Sequence, residues 1–204
     1  MTLFFGASVE SSANTLCGAL LQLAIHQDVQ DKLRQEIQEH CGESTKDITF
    51  EAIKNMSYLD KVLKETLRMY PALMKLQRRT TAEHTFKGTN VTIPVGTEVW
   101  VPQFSLQRDA DVYSNPDVFD PERFNPEAME KRHPMHYIPF GDGPRNCIGL
   151  RFAIYQTKLG LVTIIRKYKV DVCDKTYLAN EFSAHTVFLT IAEPIYLNVT
   201  KVAD

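Results

Sequence analysis

Apolar and polar positions recur along this chain with two different periods, and the changes of period mark its elements. Residues 2–26 are rich in apolar and small side chains, the small ones in the first half, which predicts a helix. Across residues 28–40, Val29, Leu33 and Ile37 recur at helical spacing with charges between them, and Gly42 is a stop signal. Thr49 is placed to cap a short helix through Asn55. Ser57-Tyr58-Leu59-Asp60 reads as a capping box that opens a further helix, which must end near Pro71. Residues 74–103 turn strand-like, with Thr92-Ile93-Pro94-Val95-Gly96-Thr97 as a turn into Glu98-Val99-Trp100-Val101. Pro116, Pro121, Pro126, Pro134, Pro139 and Pro144 punctuate residues 105–146, which predicts irregular coil with short helices. Residues 150–168 are apolar on most sides, as in a core helix. Two strand-like runs follow, 187–191 and 195–199, joined by Ala192-Glu193-Pro194.

Composition narrows the picture only a little. A chain of 204 residues with 44% hydrophobic and 24% charged content reads as an ordinary globular protein. A net charge of −2 gives no electrostatic argument for nucleic acid or an anionic membrane surface. No stretch reaches the length of a membrane span. The apolar opening raises the question of a signal peptide, but it has no basic segment and Glu10 interrupts it. Cys17, Cys41, Cys147 and Cys173 show no metal-ligand spacing and no close pairing, which suits a reducing compartment.

The densest chemistry lies in Phe140-Gly141-Asp142-Gly143-Pro144-Arg145-Asn146-Cys147-Ile148-Gly149. Gly141 and Gly143 permit a bend closed to residues with a Cβ, and they let a flat ligand approach the backbone closely. Pro144 stiffens that bend. Cys147 stands just before an apolar helical run, where unpaired N–H groups and the helix dipole favour a negative charge. Arg145 can hold a carboxylate. Upstream, the pattern of residues 57–70 puts Leu59, Val62, Leu63, Thr66, Leu67 and Tyr70 on one helical face. Glu65 and Arg68 fall opposite, beside Lys61 and Lys64. Pattern alone therefore reads them as an exposed (i, i+3) pair worth roughly 0.2–0.5 kcal/mol.

The ten-residue run fits Phe-x-x-Gly-x-Arg-x-Cys-x-Gly and resembles the haem-binding loop of the cytochrome P-450 family, the haem-thiolate monooxygenases. Two further stretches are similar to family motifs and stand in the expected order. They are Lys64-Glu65-Thr66-Leu67-Arg68 with Met69-Tyr70-Pro71, and Phe119-Asp120-Pro121-Glu122-Arg123-Phe124. Ala7-Ser8-Val9-Glu10-Ser11-Ser12 resembles a degenerate copy of the oxygen-activating helix segment. The resemblance runs from about residue 3 to about residue 200, loosely after Cys173. It implies a mainly α fold with small β-sheets, of the α+β class. Residues 1–204 would be one partial domain, the C-terminal half of the P-450 fold, from the oxygen-activating helix through a C-terminal β-hairpin. Family catalytic domains are more than twice as long, so the expectation is a C-terminal fragment or truncated gene model lacking the N-terminal half.

The resemblance also implies roles. Cys147 would be the metal ligand of haem b. Arg145 and Lys75 would face its propionates, although Lys75 reads equally as a solvated lysine. Phe140 would pack beside the thiolate, Gly141, Gly143 and Gly149 would shape the loop, and Ala153 would lie against the porphyrin. Glu65, Arg68 and Arg123 would form a buried structural network, which reverses the exposed reading. Glu10 and Ser11 align with the acid–alcohol pair that feeds protons to oxygen; without the resemblance they are a polar stripe on a helix. Ser8 stands where a second small residue, usually glycine, is found. Ser11 stands for the usual threonine, which loosens its rotamer and puts coupling in question. Ala7, Leu73, Met74, Thr186 and Val187 fall where relatives line the substrate pocket, or are plain core. Gln107-Arg108-Asp109 departs from the His-Arg-Asp of many relatives.

The implied reaction inserts one atom of O2 into an apolar organic substrate, with electrons from NADPH through a reductase. The implied partners are that NADPH-cytochrome reductase, a cytochrome b-type donor and a hydrophobic small molecule, with no nucleic acid. Gly149-Leu150-Arg151-Phe152-Ala153 looks like microsomal animal members, which implies the cytosolic face of the endoplasmic reticulum membrane through an N-terminal anchor outside this chain. Two alternatives stand beside it. One is a non-enzymatic fragment unable to hold haem alone. The other is a haem-thiolate isomerase or dehydratase, which the hydroxyl of Ser11 argues against.

Overall fold

The computed structural model describes residues 2–42, 48–179, 181–183 and 186–202. Four longer helices form its frame: α1 (Thr2–Ile25), α2 (Gln27–His40), α4 (Ser57–Met69) and α7 (Leu150–Ile165). Short helices α3 (Phe50–Asn55), α5 (Gln103–Leu106) and α6 (Pro126–Glu130) punctuate the chain. Three two-stranded antiparallel sheets complete it: β1 (Leu76–Arg79) with β4 (Glu98–Val101), β2 (His84–Thr85) with β3 (Thr92–Ile93), and β5 (Tyr168–Val172) with β6 (Leu197–Lys201). The fold is mainly helical with small sheets, the α+β class expected from the chain.

The core lies where α1, α2, α4 and α7 meet. Leu23, Leu33, Ile37, Leu59, Val62 and Leu161 are fully buried there. Each such side chain contributes about 1.5–3 kcal/mol by leaving water. Gly18 lets α1 approach α4, because a Cβ there would stand 3.0 Å from the ring of Tyr70. The Tyr70 hydroxyl meanwhile accepts from Gln22 at 2.6 Å. Gln30 joins the helices to β5: its Nε2 donates to Leu23 O and Val170 O, and its Oε1 accepts from Val170 N. Every polar atom of that buried amide is thereby used.

Local expectations met three outcomes. Thr49 caps α3, its side chain accepting from Ala52 N at 3.1 Å. The capping box at Ser57 does not form. Met56 is the N-cap and supplies no side-chain bond. Instead Glu36 of α2 accepts from Tyr58 N at 2.7 Å and Leu59 N at 2.8 Å. An ionised carboxylate satisfies two orphan donors and the helix dipole together, which outcompetes a local hydroxyl. The strand-like run 187–191 forms no named strand, only a bridge between Phe182 and Ile191. Thr186 Oγ1 donates to Phe188 O, and Leu189 N donates to Ala72 O, so local and long-range bonds take the groups a ladder would need.

Candidate functional site

The loop before α7 is closed by its own backbone. Cys147 N donates to Phe140 O at 2.9 Å, Gly141 N to Ile138 O at 2.9 Å, and Asn146 N to Gly143 O at 3.1 Å. Gly141 and Gly143 hold φ of 71° and 76°, the left-handed region that a Cβ disfavours. Gly149 is the N-cap of α7 and has no side chain to cap it, while Leu150 N donates to Cys147 O at 3.4 Å. Cys147 is exposed.

This loop forms one wall of a cleft of about 680 Å³, with α1, α7, β1 and the segment around Val187 as the others. Ala7 and Ser11 line it from α1, and Leu73, Met74 and Lys75 from the chain leading into β1. Phe140, Gly141, Arg145 and Cys147 line it from the loop, Ala153 from α7, and Thr186 and Val187 from the far segment. Glu10, Gly143 and Gly149 do not line it; Glu10 points to solvent. Ser11 Oγ donates to Ala7 O at 2.6 Å, one turn back along α1. Lys75 sits with its ammonium over the ring of Trp100, 2.9 Å from the centroid. A second cleft, of about 930 Å³, lies between α3, α4, α6 and α7, and none of the residues that line the first cleft from the cysteine loop or α1 lines it.

Behind the loop, Glu65 and Arg68 are fully buried and bidentate, with Nε to Oε2 at 2.6 Å and Nη2 to Oε1 at 2.9 Å. The exposed reading of this pair from the helical pattern is overturned. The coil after α5 covers that face of α4 and supplies acceptors to the guanidinium, Gln107 O at 3.0 Å and Pro116 O at 2.7 Å. Asp120 N donates to Glu65 Oε1 at 2.9 Å. Arg123 brings its Nε to 3.4 Å from the same oxygen, yet this atom makes no hydrogen bond, so the contact is one of charge alone. Its Nη2 donates to Asn115 O.

Among the lining residues that sequence reasoning missed, three carry polar side chains of note: Arg78, Ser12 and Thr15. Arg78 lies near Gly141, where an added Cβ would stand 3.8 Å from its Nη2. Its signal was the period of two that puts it on the face of Leu76 in β1. Ser12 and Thr15 are buried and line the cleft from α1. Thr15 Oγ1 donates to Ser11 O at 2.9 Å, and the i+4 spacing from Ser11 was its signal.

A flat apolar ligand with anionic edges fits these residues. The cleft is walled largely by carbon, one exposed thiol enters it, and Arg78 and Arg145 have no carboxylate partner among the described residues. A helix preceded by a cysteine loop, with an acid–arginine pair locked behind it, is the arrangement that the three sequence motifs predict. A family model described as Cytochrome P450 matches residues 1–199, and the chain belongs to that family. Cytochrome P450 6a2 of Drosophila melanogaster is 42% identical over 200 residues, 98% of this chain and 40% of that protein. Cytochrome P450 6l1 of Blattella germanica is 40% identical over 187 residues, 92% of this chain and 37% of that protein. Cytochrome P450 6A1 of Musca domestica is 38% identical over 203 residues, again 40% of its length. The chain thus spans about two-fifths of the length of the curated relatives it matches. Among the described residues, no helix is long and apolar enough to cross a membrane.

Proposed function

We propose that the protein to which this chain contributes is a haem-thiolate monooxygenase. It would insert one atom of O2 into an apolar substrate while the other leaves as water, using two electrons from NADPH delivered by a reductase, with a cytochrome b-type donor as a second source. The observation that carries this reading is the cleft that brings Cys147, Arg145, Phe140, Ala153 and Ser11 together from distant parts of the chain. Haem b, when bound, supplies oxygen activation, and a thiolate ligand favours O–O cleavage.

Cys147 would hold the iron, with the dipole at the start of α7 stabilising its charge. Arg145 and Arg78 would bind the carboxylates at the edge of the macrocycle. Lys75 is engaged by Trp100 and would have to leave that ring to join them. Phe140 and Ala153 would exclude water and leave room for a flat face. Glu65, Arg68 and Arg123 would fix the coil behind the loop. Ser11 would hold a proton at Oγ near the substrate by exchanging its bond to Ala7 O, and Glu10, open to solvent, would replenish it. Ala7, Leu73, Met74, Thr186 and Val187 would contact the substrate. The likeness of Gly149-Leu150-Arg151-Phe152-Ala153 to microsomal members supports residence at the endoplasmic reticulum membrane.

The test supplies the complete protein with reductase, NADPH and isotopically labelled O2. One labelled oxygen atom per product supports the reading. Product that forms without label and without NADPH supports an isomerase or dehydratase and refutes it. Ser11→Ala should raise peroxide release per NADPH consumed.

A further inference from the structure

Ile138 stands two residues before Phe140, and both of its backbone groups are held by buried side chains. Gln107 Oε1 accepts from Ile138 N at 3.2 Å, and Gln103 Nε2 donates to Ile138 O at 2.9 Å. The two glutamines are 0% and 1% exposed. Gln107 reaches the other way as well. Its Nε2 donates to Leu67 O at 3.0 Å and Arg68 O at 3.1 Å, the carbonyls that end α4. Its own carbonyl accepts from Arg68 Nη1 at 3.0 Å. The held carbonyl of Ile138 also accepts from Gly141 N, and Phe140 O accepts from Cys147 N. An unbroken run of hydrogen bonds therefore leads from the Glu65–Arg68 pair through Gln107 to the loop that carries Cys147.

We propose that Gln107, assisted by Gln103, is a positioning residue that clamps the entrance of the Cys147 loop to the end of α4 and so sets how firmly the thiolate is presented to the cofactor. The functional half of this statement rests on the haem reading above. A glutamine suits the task because one amide carries an acceptor for Ile138 N and donors for two helix-end carbonyls at once. A buried, water-free bond also rigidifies more than an exposed one. A hydrocarbon of the same size would leave Ile138 N and the two carbonyls unsatisfied.

The experiment uses the complete haem-loaded protein with Gln107→Leu, Gln103→Leu and Gln107→His. Two quantities are read: the rate of haem transfer to apomyoglobin, and the share of the reduced carbon monoxide complex absorbing at the thiolate position rather than the thiol position. Gln107→Leu should speed haem transfer about fivefold, the effect of one net hydrogen bond, and move absorbance towards the thiol position. Gln103→Leu should do the same to a smaller degree. Gln107→His should stay near the unmutated values, because one ring nitrogen can accept from Ile138 N while the other donates to α4. Unchanged transfer and spectrum in both leucine variants would overturn the clamp. So would a histidine variant as impaired as Gln107→Leu, or leucine variants that only lower the unfolding temperature. If Gln107→Leu does not accumulate, Gln103→Leu decides. If the unmutated protein shows no thiolate-position band, the haem reading falls, and hydrogen exchange still tests the clamp. Exchange at Ile138 and Gly141 about fivefold faster in Gln107→Leu supports it, and unchanged exchange refutes it.

Discussion

Replacing Arg68 by methionine removes one side of a fully buried ion pair and keeps most of the side-chain volume. Glu65 loses two charge-assisted bonds, of 2.6 and 2.9 Å, and keeps only Asp120 N and the nearby charge of Arg123. The carbonyls of Gln107 and Pro116 lose a donor as well. An orphaned buried acceptor costs about 1–3 kcal/mol, but these losses share one network and do not add. The expected destabilisation is about 3–5 kcal/mol, the cost of uncovering one buried charge. Against a typical stability of about 5–15 kcal/mol, that is enough to unfold a marginal protein. Urea unfolding of the protein and of Arg68→Met, at equal slope, measures it. Adding Glu65→Leu should recover part of the loss, because the double variant removes the buried carboxylate that Arg68→Met leaves uncovered; recovery is incomplete because Arg123 loses that carboxylate too. A single variant within about 1 kcal/mol of the parent, or strictly additive losses, would refute the reasoning.

Three further outcomes are expected. Glu122 is held down at about 2 from an ordinary 4.5, first by the hydrogen bond from Lys32 and then by Lys61, with partial burial opposing them. Its folded value lies below its unfolded one, so its contribution is present above about 4.5 and lost as pH falls towards 2; Glu122→Gln should flatten the acid limb of a stability–pH curve over that window, and an unchanged limb would show the pairing to be inert. Glu36→Ala should cost about 1–2 kcal/mol in urea unfolding while Ser57→Ala stays within about 0.5, and the reverse order would restore the local capping box. Gly141→Ala should destabilise the loop by about 1–2 kcal/mol through its backbone, since φ is 71° while the new Cβ meets Leu76 and Arg78 only at 3.7 and 3.8 Å; a neutral result by thermal unfolding would contradict this.

The frame was legible in the chain because α2 and α4 carry a 3.6-residue period, and α1 and α7 are long, mostly apolar runs without proline. Thr49 could be read because its partner lies three residues away. Failures cluster where the partner is remote. Glu36 caps α4 from another helix, a partnership that no local window contains. Glu65 and Arg68 look solvated by pattern, since what buries them is a proline-punctuated coil about forty residues later, without periodicity of its own. Residues 187–191 have strand composition, yet Thr186 and Ala72 claim the backbone groups that pairing would use. Cys147 stood out only because a whole motif surrounds it; that Arg78 and Thr15 face the same cleft emerged only when β1 and α1 were brought against it.

The proposed role of Cys147 is to present a thiolate to haem iron. The most direct measurement is the reduced, carbon monoxide-bound absorption spectrum of the complete protein beside that of Cys147→Ser. The account predicts a band at the thiolate-ligated position in the unmutated protein and its loss in Cys147→Ser. The same band in both proteins, or none in either despite bound haem, would contradict it.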